Sequence, residues 1–237
     1  MIRDSDADHP DLEQIPLAAL QRYIREPING LSHALGIVLS IVGLVLLLVL
    51  AQGEPWRTTS FVIYGLSLIM LYTASTLMHS LHVSPKTQRR LRLFDHAAIF
   101  ALIAGSYTPI TLITLRNETY AAWGWTLFGL AWGVAILGIV FKIFWLDAPR
   151  WLSTGLYLLM GWMSMIAIIP IVRTLPLGGV VWLGLGGLFY SIGAIIFALR
   201  KPDWFPNVFG YHELWHMFVL AGSISHFVMI ARYVAPL

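Results

Sequence analysis

Residues 33–51 read HALGIVLSIVGLVLLLVLA, an apolar run close to the ~20 residues a helix needs to cross a bilayer. Six more such runs follow: Ser60–His79, Leu93–Ile113, Tyr120–Ile143, Trp151–Val172, Gly179–Leu199 and His212–Tyr233. Composition agrees. The 237 residues are 58% hydrophobic and 11% charged, with a mean hydropathy of +0.75, whereas soluble domains carry about 25% charge. The expected fold is all-α, with seven transmembrane helices in one domain, residues 26–237, behind an N-terminal tail, residues 1–25. A bacterial inner membrane is the expected location.

Turn-forming residues separate the runs, among them Gly53-Glu54-Pro55, Ser84-Pro85, Asp147-Ala148-Pro149 and the stretch from Pro202 to Gly210. The loops are short, so successive helices should pack as antiparallel neighbours. Basic residues are unevenly shared between the two sides. Arg3, Arg22, Arg25, Lys86, Arg89, Arg90, Arg92, Lys142, Arg150, Arg200 and Lys201 fall on the side of the N-terminus. Only Arg57, Arg116, Arg173 and Arg232 fall on the other. Lys and Arg are retained on the cytoplasmic side, which predicts the N-terminus inside and the C-terminus outside. The sequence pI of about 9.3 then reflects these loops rather than a nucleic-acid surface, and no nucleic-acid partner is expected. The acidic first residues, Asp4, Asp6, Asp8, Asp11 and Glu13, do not resemble a cleavable signal. Helical spacing from Leu12 to Ile24 suggests a short interfacial helix in the tail.

Ionisable groups inside a bilayer are costly, so a cluster of them marks a functional site. His79 ends the second run, Asp95 begins the third, and His212 and His216 begin the seventh; all four belong at the cytoplasmic face. Histidines four apart project from one helix face a turn apart and can grip one ion. With no cysteine in the chain, imidazole and carboxylate are the available ligands, and three imidazoles beside an acid read first as zinc. His79, His212 and His216 are the expected metal ligands. Asp95 is placed to accept a proton from, or orient, a water in an open fourth position; pairing with Arg92 is its structural alternative. Ser75, one turn before His79, lies on the same face, either as a site residue or bonded back to its own helix. Glu26, Asn29 and His33 share a face ahead of the first run and are expected to brace the ligands by hydrogen bonds; capping of the first helix is the other reading. Residues 212–216, His-Glu-Leu-Trp-His, also satisfy the H-E-x-x-H metalloprotease pattern. Nothing in the short loops announces a way to admit an extended peptide, so Glu213 reads as an interfacial carboxylate before it reads as a base.

These residues carry a resemblance. Glu26, Asn29 and His33, Ser75-x-x-x-His79, Phe94-Asp95-His96, Gly105-Ser106-Tyr107-Thr108-Pro109 and His212-x-x-x-His216 together resemble the hemolysin III family. This is the bacterial branch of the progestin and adiponectin receptor group, in a superfamily that includes the alkaline ceramidases. The resemblance runs from Glu26 to the last span. It implies a barrel-like bundle of seven helices with zinc near the cytoplasmic leaflet, held by His79, His212 and His216 with a water on Asp95 and with Ser75 beside it. In the ceramidase relatives this arrangement hydrolyses a lipid amide. The expected activity is therefore zinc-dependent hydrolysis of a lipid amide or ester serving membrane homeostasis, with a membrane lipid as substrate or ligand. A metal-stabilised membrane sensor without turnover, or a membrane-active hemolysin, is the alternative; a pore is disfavoured because the middles of the runs are apolar.

Overall fold

The computed structural model describes residues 17–205 and 208–237. Nine α-helices are named in chain order among these residues: α1 (Leu17–Leu20), α2 (Pro27–Ala51), α3 (Pro55–Ser80), α4 (Pro85–Pro109), α5 (Ala121–Phe144), α6 (Arg150–Gly161), α7 (Ile168–Thr174), α8 (Leu177–Leu199) and α9 (Tyr211–Met229). Helix α4 runs on through a π turn, Ile110–Thr114, and α9 through another, Ile230–Val234. A 3-10 stretch, Trp162–Ala167, joins α6 to α7. The result is seven helical spans, each long and apolar enough to cross a membrane. The protein is a multi-pass membrane protein. Beyond an isolated bridge between Phe205 and Phe209, the described residues form no β-structure. This is the architecture lipid demands, since helices satisfy their own backbone where no water can.

The spans start earlier than hydropathy suggests. Helix α4 begins at Pro85 rather than Leu93, because Ser84 caps it, accepting from Thr87 N–H at 3.3 Å, and Pro85 is preset for the first turn. Capping acts on the backbone whatever the polarity of the side chains, so the basic stretch Lys86–Arg92 becomes a helical extension. Likewise α2 begins at Pro27 and takes in Asn29 and His33. Of the interfacial helix expected over 12–24, the described residues show one turn, Leu17–Leu20; residues 12–16 lie outside the described residues.

Helices α3 and α4 form the centre of the bundle. Their spans are 56% and 72% buried, against 17% for α8. The outer helices turn Val38, Val42, Val45 and Val49 of α2, and Leu185 and Leu188 of α8, outward as a lipid-facing surface. Close approach at the centre depends on Gly105, where an added Cβ would collide with Ser67 of α3.

The fifth span is broken, and the break is plugged from α4. Pro170 has no N–H for the carbonyl four residues back and crowds that turn, and the chain leaves α-geometry at Trp162–Ala167. The hydroxyl of Tyr107 answers the interrupted ladder. It accepts from Ser164 N–H at 2.9 Å and donates to the carbonyl of Gly161 at 2.6 Å, with that of Met160 at 3.0 Å. An interrupted helix is tolerated at membrane depth where it lines a cavity, and Gly161, Trp162 and Ser164 do line one.

Candidate metal centre

The centre is built where three helix ends meet. His79 is the penultimate residue of α3, His212 the second residue of α9, and His216 follows one turn later. One ring nitrogen from each lies within 4.8 Å of the others. The ring centroids form a near-equilateral triangle of 5.0, 4.8 and 5.1 Å, each pair set edge to face. His79 and His216 are buried and His212 half-buried. The group is able to hold a metal ion.

Polar atoms around the triad single out which nitrogens are free. His79 Nδ1 is 2.6 Å from Glu26 Oε2, which leaves Nε2 as its available ligand atom. Among the described residues His212 and His216 make no side-chain hydrogen bond, and His216 Nδ1 is a buried atom without a partner. Buried nitrogens are rarely left unpaired. Three imidazoles that each bring one nitrogen to a common point, and no thiolate in the chain, suit a borderline metal ion.

Glu26 is held in place by the end of another helix. Its N–H donates to the carbonyl of His79 at 2.9 Å, Arg25 N–H to that of Ser80 at 3.1 Å, and Arg25 Nη2 to that of Met78 at 2.8 Å. These donors satisfy carbonyls orphaned at the C-terminus of α3 and set the Glu26 carboxylate against His79. Burial opposes its charge, but the hydrogen bond with His79, with Arg25 beside it, holds its carboxyl below the usual carboxylate range. Asn29 continues the network, donating to Glu26 Oε2 at 3.3 Å and to Glu213 Oε1 at 2.9 Å. A carboxylate on the remote nitrogen of a ligating histidine fixes its tautomer and raises its basicity. Glu26→Gln is therefore expected to weaken metal affinity by about 10–100-fold with the fold intact, measured by competition with a chelating dye; wild-type affinity in the variant would deny Glu26 this part.

The structure places the remaining candidates as follows. His33 makes no hydrogen bond; it stacks on His216 at 3.8 Å and 20°, with Tyr72 edge-on at 4.9 Å. Its support of the ligand is by packing rather than by the hydrogen bond expected of it. Asp95 is buried beside Ser75 and faces His79. Arg92 turns away from Asp95 and pairs with Asp147, so the structural alternative for Asp95 is not realised. Ser75 lines the cavity and, unlike Ser40, Ser67 and Ser106, makes no hydrogen bond to its own helix. Glu213 is committed elsewhere, accepting from Gly210 N–H at 2.9 Å at the start of α9.

The triad opens onto a cavity of about 660 Å³ that runs past Ser75, Asp95 and Tyr107 to Tyr190 and His226. That volume is in the range of about 300–1,000 Å³ that small-molecule pockets occupy. Several lining residues escaped the sequence reading. Hydropathy puts Lys142 among the basic residues of the loops, whereas the structure buries it in the last turn of α5. His96 and His226 carry buried ring nitrogens without partners; the signal for His226 was a lone imidazole in the middle of an apolar run.

The chain is similar to known proteins over most of its length. The family model described as "Haemolysin-III related" matches residues 21–227. The chain is 40% identical over 223 residues to Hemolysin-3 of Bacillus cereus, covering 93% of this chain and 97% of that protein. It is 41% identical over 213 residues to the Hemolysin-3 homolog of Bacillus subtilis (strain 168), covering 89% and 95%. At 26% identity over 209 residues it is similar to the human monocyte to macrophage differentiation factor, covering 86% and 82%.

Proposed function

The chain belongs to the haemolysin-III-related family, and from that premise and the histidine triad we propose that it is a zinc-dependent hydrolase of a lipid amide or ester. One observation carries the proposal: three imidazoles, each with one nitrogen turned toward the others, converge on a cavity of about 660 Å³ that also holds a buried carboxylate and a hydroxyl. His79, His212 and His216 hold the ion. Zinc, when bound there, supplies Lewis acidity toward a carbonyl oxygen and lowers the pKa of water. Asp95 accepts the proton of the attacking water and returns it to the departing amine or alkoxide. Ser75, lacking a helix partner, donates to the oxygen on which charge develops. The apolar walls keep bulk water away and strengthen each of these interactions.

The test exposes purified, zinc-loaded protein to a mixed lipid extract and follows released fatty acid by mass spectrometry. Release that stops on chelation supports the hydrolase. Retained zinc without release returns the reading to a metal-stabilised sensor.

The site serves the cytoplasmic leaflet of the bacterial inner membrane. This orientation rests on the excess of basic residues beside the triad. A reporter active only outside the cytoplasm is expected to work when fused after Leu237 and to fail at Thr87 in the first turn of α4. The opposite pattern would move the centre to the outer face.

A further inference from the structure

One group of cavity residues has no part in the chemistry just described. Lys142 is 1% exposed, and its Nζ has Ser153 Oγ, at 2.5 Å, as its hydrogen-bond partner. Arg150, at the start of α6, donates to the Phe197 carbonyl at 3.3 Å and lies over the rings of Phe197 and Tyr211 at 4.7 and 5.5 Å. Among the described residues no carboxylate is within ion-pair distance of either cation. Of the two acids that line the cavity, Asp95 lies beside Ser75, and Asp147 is engaged by Arg92, with Arg89 at 3.7 Å. His96, next in sequence to Asp95, adds a buried Nδ1 without a partner. All of these side chains line the same cavity as the triad.

The retention of positive charge on one membrane face accounts for exposed residues such as Arg89, Arg200 and Lys201. It does not account for a buried lysine, because burying an ammonium without a counter-charge is costly. A ligand anion would remove that cost. Consecutive residues on a helix point about 100° apart, so Asp95 faces the triad while His96 turns toward the neighbouring wall. The two sites therefore open onto the same cavity.

We propose that Lys142, Arg150 and His96 form an oxyanion subsite that holds the phosphate or carboxylate of a lipid beside the histidine triad, making the ligand of this cavity an anionic lipid. The inference rests on the cavity being a lipid site, as proposed above, but not on turnover. Lys142 and Arg150 supply charge-assisted hydrogen bonds, and Arg150 adds a planar donor fork suited to two oxygens. Arg92 is already paired with Asp147.

The test measures binding, so it stays separate from catalysis. Full-length, zinc-loaded protein in an uncharged detergent is titrated with dioleoyl phosphatidate, oleate and uncharged diolein, and retained lipid is counted by native mass spectrometry. Both anionic lipids are expected to bind at least about tenfold more tightly than diolein, the scale of a hydrogen bond to a charged group. Lys142→Met should erase most of that preference and Lys142→Arg should keep it, both with zinc content unchanged. Preference for phosphatidate over oleate assigns a phospholipid headgroup, and the reverse a fatty-acid carboxylate. Should Lys142→Met fail to fold, Arg150→Gln must show a smaller loss in the same direction. Equal binding of diolein and the anionic lipids by wild type, or an unchanged preference in a folded variant, overturns the subsite. Anionic preference with no hydrolysis in any lipid sinks the hydrolase alone.

Discussion

On the proposed zinc assignment, replacing His212 by Ala is expected to strip the protein of most of its bound metal. Each ligand carries a share of a bond energy of about 10–16 kcal/mol in four-ligand structural sites, so one lost imidazole costs roughly 3–4 kcal/mol, or about 10²–10³ in affinity. His79 and His216 alone would not hold the ion through purification. The triad geometry makes the three positions equivalent in this respect, because each contributes one nitrogen within 4.8 Å of the other two. His79→Ala should be worse for folding than His212→Ala, since it also leaves Glu26 without its 2.6 Å partner. His212 is half-buried and makes no hydrogen bond among the described residues, which makes it the cleaner probe. Elemental analysis of the purified His212→Ala protein decides the matter. Full zinc occupancy in that variant would remove the metal assignment, and with it the proposed chemistry.

Asp95→Asn is expected to leave the zinc in place and to reduce lipid hydrolysis by on the order of 10²-fold or more, as loss of a general base does. Asn keeps the shape of the side chain and takes no ligand away from the ion. It cannot take up the proton of the attacking water. A structural aspartate would behave differently, since breaking an ion pair inside the bundle would lower expression. That alternative has lost its partner here: Arg92 binds Asp147, and Asp95 sits beside Ser75. Zinc content and fatty-acid release, measured on one preparation, read the two effects separately. Full activity in a zinc-replete Asp95→Asn protein would end the proton-transfer role and favour a sensor.

The sequence by itself determined the number of spans and which residues gather at one end of them. Both follow from short-range physics. Hydropathy over about 20 residues is a solvent-transfer property, and a four-residue spacing such as His212 to His216 places two rings on one helix face without reference to any other helix. The motifs also point to the Glu26 segment, because a polar stretch ahead of an apolar run is conspicuous.

What Glu26, Asn29 and His33 each do was decided only by tertiary structure. The same spacing led to hydrogen bonds for Glu26 and Asn29 but to ring stacking for His33, since α3 and α9 present a histidine edge to the first and a histidine face to the last. The choice of Arg92 between Asp95 and Asp147, three residues away or fifty-five, could not be made locally. Tyr107 stands in a motif of the sequence that gives it no role, and only the packing of α4 on the broken fifth span shows its hydroxyl completing another helix's backbone. Lys142 shows the limit most plainly. Near the end of a run, a lysine at the interface and a lysine turned into a cavity have the same hydropathy, and it is the neighbouring α6, through Ser153, that decides between them. Burial is a property of what lies across from a residue, and a single helix does not contain that information.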